Sequence, residues 1–248
     1  MTDVVHPGLL PAPPQRLLPT ACSRAAAVAL TMITVLHLVA QLGEASAWAR
    51  ATQGCLMPLL GATLWCAAPA PRSRLVRLVL VALGLSWLGD TVPAAFTGDT
   101  AFLAMVGCFL LAQVAYVVAF WPARGTSVAR RPVLLLPYAV AAAVLVGVCA
   151  AGAGPLLAAV VVYGVCLVAT AVLATGVHPL AGVGGAVFLV SDAMIALGAF
   201  TDWFAPPSPG FWVMLTYVAG QALIVAGVLA RSSSQVSGSG TGANPSRS

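Results

Sequence analysis

Two aspartates interrupt apolar segments that otherwise carry almost no charge. Asp90 lies in the stretch LGLSWLGDTVPAAF and Asp192 in GGAVFLVSDAMIALGAF, although the whole chain has only six acidic residues. An ionised carboxylate costs about 3 kcal/mol at the centre of a membrane helix, so such acids usually face a polar interior and mark function. Two carboxyls in one buried site can hold a single proton between them, giving one acid and one base. Hydrogen bonding to a neighbouring helix is the alternative role for each aspartate.

The composition indicates an integral membrane protein. Of the 248 residues, 60% are hydrophobic and 7% are charged, and the mean hydropathy is +1.00. A soluble globular domain needs about a quarter charged residues to cover its surface. The net charge of +5 comes from arginines scattered between apolar segments, without a basic patch interleaved with aromatic residues. Nucleic acid is therefore excluded as a partner.

Eight apolar segments are long enough, or nearly so, to cross a bilayer as helices, which takes about 20 residues each. The predicted spans are 23–43, 54–69, 74–95, 100–121, 132–151, 154–175, 180–201 and 210–230. The second span is the shortest, and Pro58 interrupts it. The predicted fold is an all-α, polytopic membrane bundle of eight transmembrane helices within residues 21–230. A Pro-rich tail (1–20) and a Ser/Gly-rich tail (231–248) flank it, and both are predicted to be disordered.

The arginines predict that both termini are cytoplasmic. With eight spans and the N-terminus inside, ten arginines fall on the cytoplasmic side and only Arg50 falls on the outer side. This distribution follows the positive-inside rule. The lysine-free, alanine-rich composition separately favours a bacterial inner membrane.

Other polar side chains lie in apolar segments, in the layer at and above the membrane midplane that holds the two aspartates. Ser86 precedes Asp90 by four residues and could orient it from the same helix face. Ser191 points about 100° away from Asp192 around the helix, which favours packing or a bond to its own backbone. The remaining candidates, for which interhelical hydrogen bonding is the alternative role, are His37, Gln113, Tyr116, Tyr217 and Gln221.

Cysteines and glycines in the apolar segments are interpreted as packing residues. None of the six cysteines belongs to a CxxC pair, so we expect small buried hydrophobes rather than disulfides or a metal site; they are Cys22, Cys55, Cys66, Cys108, Cys149 and Cys166. The glycines of AGVGGAVF lack the spacing of a phosphate-binding loop and indicate close packing of helices.

At these motifs the chain resembles the YhhN-type lysoplasmalogenase family of eight-span membrane proteins. The matching stretches are LMPLLGATLW (56–65), LGLSWLGDTV (83–92), the run from Gly107 to Tyr116, GGAVFLVSDAMIAL (184–197) and YVAGQALIVAG (217–227). Their order and spacing cover most of the chain from about residue 30 to about residue 230, and the segments around the two aspartates are the most specific.

This resemblance implies hydrolysis of the vinyl ether bond of a lysoplasmalogen. The products would be a fatty aldehyde and glycerophosphoethanolamine or glycerophosphocholine, and neither a metal nor an organic cofactor is implied. One carboxylic acid would protonate the vinyl carbon, while a second carboxylate would stabilise the resulting cation and activate water. We expect Asp90 and Asp192 to be this pair, without assigning which is the acid. The implied partner is a membrane lipid; the oligomeric state is not indicated.

Two positions depart from the family pattern. Many relatives carry a lysine near the start of the second helix, where this chain has Gln53 and Gly54. Relatives often have a histidine before the tyrosine of the fourth helix, where Gln113 stands here. If the lysine binds the phosphate head group and the histidine assists proton transfer, both functions are altered in this chain.

Two other functions stay open at this point. The two glutamines favour a non-catalytic, lipid-binding relative. A proton-coupled transporter could use the aspartates as a relay, but transporters typically have inverted repeats or paired broken helices, whereas the two halves of this chain echo each other only in parallel.

Overall fold

A computed structural model describes residues 17–240, including the side chains of residues 17–234. Within this part of the chain there are eight long α-helices and no strand. The helices are α1 (Ala21–Leu42), α2 (Ser46–Ala67), α3 (Arg74–Thr91), α4 (Gly98–Phe120), α5 (Pro132–Ala153), α6 (Leu157–Ala174), α7 (Pro179–Phe200) and α8 (Pro209–Gly240). The predicted all-α class is confirmed.

Six segments of the described chain are long and apolar enough to cross a membrane. One of them, Pro132–Ala174, has 43 residues and contains both α5 and α6. The others contain α1, α3, α4, α7 and α8, whereas α2, which carries Arg50 and Gln53 in its first turns, is not among them. The protein is therefore an all-helical, integral-membrane type of bundle, and the number of eight spans stays a prediction.

Two helix boundaries differ from the predicted segments. Helix α2 begins at Ser46, eight residues before the predicted start at 54, because only a short connection separates it from α1. Helix α8 continues to Gly240, into the predicted C-terminal tail, where the Ser232 hydroxyl bonds back to the Val228 carbonyl at 2.9 Å. Residues 1–16, most of the predicted N-terminal tail, and residues 241–248, the last eight of the predicted C-terminal tail, lie outside the described residues.

Contacts between helix ends show that consecutive helices run in opposite directions. Thr20 at the start of α1 bonds the Cys66 carbonyl at the end of α2, and Gln53 near the start of α2 bonds Asp90 at the end of α3. One end of the bundle, here called the arginine face, holds the starts of the odd helices and the ends of the even ones. It carries eight of the nine described arginines, namely Arg24, Arg72, Arg74, Arg77, Arg124, Arg130, Arg131 and Arg231.

Helices α7 and α8 pack with their backbones in close approach. A Cβ added to Gly184 would lie 2.6 Å from the Gly220 carbonyl oxygen, and one added to Gly227 would lie 2.6 Å from the Ala181 nitrogen. Small residues allow this approach between apolar helices, so the interpretation of AGVGGAVF as a packing element is confirmed. The contact holds Asp192 in α7 beside Tyr217 in α8.

The cysteine prediction is wrong for one pair. Cys22 and Cys66 form a disulfide between the start of α1 and the end of α2, with their Cα atoms 5.8 Å apart. The antiparallel pairing of α1 and α2 brings together residues separated by 44 positions, which an apolar sequence pattern cannot reveal. Cys149 is buried, as expected of a small hydrophobe, whereas Cys55 is exposed.

Candidate functional site

Asp90 lies in the last turn of α3, where side chains from two other helices reach it. Gln53 in α2 donates its Nε2–H to Oδ1 at 3.3 Å, and Tyr217 in α8 donates its hydroxyl to Oδ2 at 2.9 Å. Each carboxyl oxygen therefore accepts a hydrogen bond from a different helix. Such bonds stabilise the ionised form of a carboxyl group and fix its orientation.

Asp192 lies past the middle of α7 and is 8% exposed. The hydroxyl of Tyr163 in α6 donates to its Oδ2. The amide of Gln113 in α4 faces this hydroxyl, although neither of its polar atoms meets a hydrogen-bond partner among the described residues. Side chains of three helices therefore lie in a row, with Tyr163 between Gln113 and Asp192.

A second polar chain links α3, α4 and α8 through fully buried side chains. The Tyr116 hydroxyl donates to Gln221 Oε1 at 2.5 Å, and Gln221 Nε2 donates to Ser86 Oγ at 3.2 Å. Ser86 thus bonds Gln221, and no bond from it to Asp90 is present among the described residues. Ser191 donates to the Val213 carbonyl at 3.0 Å and so ties α7 to α8 rather than serving the carboxyl beside it.

The two acids are close neighbours in the bundle. Their charges are close enough to interact, and the Tyr217 hydroxyl lies in the field of both. Phe109 in α4 lies near both acids: its ring stacks edge-on against Tyr217, the partner of Asp90, at 5.8 Å, and it lines a cavity together with Asp192. Gly89 makes room for this ring, since a Cβ there would lie 2.7 Å from it.

His37 belongs to a separate contact between α1 and α2. Its Nδ1 lies 3.1 Å from the Ala49 carbonyl oxygen and 2.9 Å from Thr52 Oγ1. With the proton on Nδ1 donated to the carbonyl, Nε2 accepts from Gln41 Nε2 at 3.3 Å. No bond from His37 to either aspartate is present in the described part of the chain, and its contacts match the helix-linking role.

Asp192 lines two apolar cavities. The smaller, of about 60 Å³, lies between α4, α6 and α7. The larger, of about 490 Å³, lies between α5, α6 and α7 and is here called the α5–α7 groove. Its wall consists mainly of alanine, valine and leucine, with Tyr163 and Asp192 as polar members. Val144, Val161 and Val165 along it are exposed, so the groove opens to the outer surface of the bundle.

Tyr163 is the residue that sequence reasoning missed. It is one of only four tyrosines in the chain and places a hydroxyl inside the apolar run VVVYGVCLV. This isolated hydroxyl could have identified Tyr163 as a candidate, because a buried tyrosine hydroxyl usually finds a hydrogen-bond partner.

No group of three or more His, Cys, Asp or Glu side chains that could hold a metal ion occurs within residues 17–240. The side chains that meet at the two aspartates are carboxyls, phenols and amides, which can donate and accept protons and orient a bound molecule by hydrogen bonds.

Comparison with known proteins identifies the family. The YhhN family matches residues 48–228, which extends from α2 to the end of the apolar part of α8 and contains every candidate residue except His37. No curated protein and no solved structure matches the chain. Because the match covers most of its length, the chain belongs to the YhhN family.

Proposed function

We propose that this protein hydrolyses the vinyl ether bond of a lysoplasmalogen-like lysophospholipid, using Asp90 and Asp192 as an acid–base pair. The observation that carries the proposal is the position of Asp192 on the wall of an apolar groove of about 490 Å³ beside a second acid. The family is associated with hydrolase activity. Vinyl ether hydrolysis requires an acid, a base and water, which suits a site built from carboxyls.

The α5–α7 groove suits the single hydrocarbon chain of a lysolipid. The groove is lined by apolar side chains and opens where valines are exposed, so a chain could enter sideways from the bilayer. Both the bilayer and the groove are apolar, so this transfer contributes little to affinity. The groove instead positions the lipid, because it brings the ether at the end of the hydrocarbon chain to Asp192. Holding the reacting groups together in this way raises the rate of the reaction.

Asp192 is the proposed acid, because the carbon that takes the proton is on the chain side of the double bond and Asp192 lines the groove. Proton transfer from Asp192 to that carbon leaves a cation shared by the next carbon and the ether oxygen. Asp90, whose two oxygens accept hydrogen bonds from Gln53 and Tyr217, acts as the carboxylate that stabilises this cation and accepts a proton from the attacking water.

The water oxygen then forms a bond to the carbon that carries the ether oxygen, giving a hemiacetal. The bond between this carbon and the ether oxygen then breaks; the hemiacetal hydroxyl loses its proton as it becomes the aldehyde carbonyl, and the glycerol oxygen gains one. One water is consumed. The pair of acids holds the same number of protons at the end as at the start, and transfer of the proton from Asp90 to Asp192 completes the cycle. Tyr163, which bonds Asp192, orients that carboxyl throughout.

The test is turnover by the purified full-length protein in neutral-lipid vesicles. We expect aldehyde release from lysoplasmalogen and none from the matched acyl lysophospholipid. In D₂O the aldehyde should carry one deuterium on the carbon next to the carbonyl, because that carbon is protonated in the first step. Release of fatty acid from the acyl lipid, or absence of aldehyde from lysoplasmalogen, would contradict the proposal.

A lipid-binding protein without catalysis is the second candidate, favoured by Gln53 and Gln113 at the positions where many relatives carry ionisable residues. Gln53 gives Asp90 a neutral hydrogen-bond donor, and Gln113 gives Tyr163 a neutral neighbour. This candidate predicts that lysoplasmalogen binds and is recovered intact.

We further propose that all eight helices cross a bacterial inner membrane and that both termini are cytoplasmic. The arginine face supports this orientation, since arginines concentrate on the cytoplasmic side of membrane proteins. Reporter fusions at Asp202 and at Arg130 should report opposite sides of the membrane; the same side for both would contradict the topology.

A further inference from the structure

A second cavity, far along the helices from the two aspartates, lies at the arginine face. It has a volume of about 220 Å³ and lies between the start of α3, the end of α4, the α6–α7 connection and α8. Arg74 lines it from α3 and Arg231 lines it from α8. Apart from Ser73, the other lining residues are apolar: Leu75, Ala119, Pro122, Ala123 and Val177.

Arg231 is held in place at this cavity by backbone acceptors. Its Nη1 donates to the Gly176 carbonyl at 2.8 Å and to the Val177 carbonyl at 3.1 Å. These bonds use one of the three guanidinium nitrogens, and no described residue accepts a hydrogen bond from Nε or Nη2. A guanidinium that is already oriented loses less entropy when it binds an anion.

The charges of Arg74 and Arg231 have no described counter-charge. All five acidic residues in the described chain (Glu44, Asp90, Asp99, Asp192 and Asp202) lie toward the opposite end of the bundle. Arg74 makes no hydrogen bond or ion pair with any described residue.

Other arginines of this face are already engaged by neighbouring groups. Arg72 stacks on Trp65 with 3.4 Å between its Cζ and the ring centroid and donates to the Trp65 carbonyl. Arg124 stacks on Trp121 and donates to the Trp121 carbonyl. Arg74 and Arg231 therefore differ from these two in facing one cavity from separate helices.

We propose that this cavity binds a phosphate group, supplied by the head group of an anionic phospholipid or by inorganic phosphate. The planar guanidinium forms paired, charge-assisted hydrogen bonds with phosphate oxygens. Basic pockets between transmembrane helices on the cytoplasmic side are typical sites for anionic head groups. The site is separate from the proposed catalytic site, and its occupation does not depend on that proposal.

The first test is native mass spectrometry of the detergent-purified full-length protein with equal amounts of phosphatidylglycerol and phosphatidylcholine. We expect the wild type to retain phosphatidylglycerol preferentially, and Arg74→Gln to lower the bound fraction about tenfold, the effect of about 1.4 kcal/mol. The matched control is Arg77→Gln, which removes the same charge from the same helix; Arg77 is exposed and does not line the cavity. It should retain the lipid within about twofold of wild type.

Equal losses in Arg74→Gln and Arg77→Gln would overturn the proposal, whereas no preference of the wild type for phosphatidylglycerol would exclude the lipid head group as the source. Arg231→Lys keeps the charge but removes the guanidinium whose Nη1 bonds both carbonyls. This variant should therefore also retain less lipid. Thermal unfolding with inorganic phosphate separates the two sources: a rise in Tm that Arg74→Gln abolishes assigns the site to free phosphate. A rise in Tm with phosphatidylglycerol but not with inorganic phosphate assigns the site to the head group. No rise in Tm with either compound contradicts the site.

Discussion

Replacing Tyr217 by phenylalanine isolates the contribution of one hydroxyl to the proposed mechanism. The hydroxyl donates to Asp90 Oδ2 at 2.9 Å, whereas the ring packs against Phe109 and Phe188 with centroid distances of 5.8 Å and 5.6 Å. Tyr217→Phe removes the hydrogen bond and keeps the ring. We therefore expect a change in the chemistry of Asp90 with little change in the packing of α8.

The size of the effect follows from the kind of bond that is lost. A hydrogen bond to a charged group contributes about 1.5–3 kcal/mol, and each 1.36 kcal/mol changes a rate about tenfold. If Asp90 acts as the carboxylate that stabilises the cation, kcat for aldehyde release should fall about tenfold to 100-fold. KM should change little, because the bond is not made to the lipid.

The matched control is Tyr138→Phe, which removes a phenol from α5. Tyr138 does not line the groove, and we expect wild-type kcat and KM from this variant. Aldehyde release should be measured over a range of lysoplasmalogen concentrations to separate kcat from KM. A Tyr217→Phe protein with kcat within about twofold of wild type would refute the proposed role of this hydroxyl.

Two further predictions concern the packing of α7 against α8 and the shape of the groove. Gly184→Ala should lower Tm in detergent, because its Cβ would lie 2.6 Å from the Gly220 carbonyl oxygen and overpacking costs about 1–3 kcal/mol. Gly198→Ala on the same helix meets nothing within 4 Å and should not lower Tm; equal losses in the two would contradict the packing argument. Gly164→Phe should reduce turnover of long-chain more than short-chain lysoplasmalogens, because Gly164 lines the α5–α7 groove and has open space around it. Gly147→Phe, at an equally open glycine that does not line the groove, should leave the chain-length profile unchanged, and the same profile in both variants would argue against the groove as the chain site.

Helices could be predicted from the sequence where their segments carry no charged residue, as in α5. The start of α2 could not be predicted in this way, because Arg50 and Gln53 interrupt the apolar pattern in its first turns. Gln53 faces Asp90, so part of this helix faces a polar interior and need not be apolar. Hydropathy therefore identifies the surfaces that face lipid better than those that face a polar cluster.

Residue types in the sequence indicated many members of the candidate cluster, but not which side chains bond each aspartate. Asp90 and Asp192 are conspicuous because charge inside apolar segments is rare. The partners are set by how helices pack sideways: Tyr217 reaches Asp90 from α8 and Tyr163 reaches Asp192 from α6. A spacing rule along one helix misled us for Ser86, which bonds Gln221 of another helix.

A count of residues along each helix predicts the depth of a polar residue but not its lateral neighbours. Counting 1.5 Å per residue along a helix places Asp90 and Asp192 on the same side of the midplane. It could not reveal that Phe109 both contacts Tyr217 and lines the cavity at Asp192. The disulfide between Cys22 and Cys66 was missed for the same reason, since one sequence does not state which helix ends are adjacent.

The most direct measurement of the central claim is the rate of aldehyde release by Asp90→Asn and Asp192→Asn, compared with wild type and Asp202→Asn. Asn keeps the size of each side chain but cannot exchange a proton as a carboxyl does, and general acid–base groups contribute about 100-fold to 10,000-fold in rate. Asp202 is exposed in the α7–α8 connection and serves as the control. The account predicts losses of this size in both intramembrane variants, folded to the same Tm as wild type, and no loss in Asp202→Asn. Aldehyde release at the wild-type rate from either intramembrane variant would contradict it.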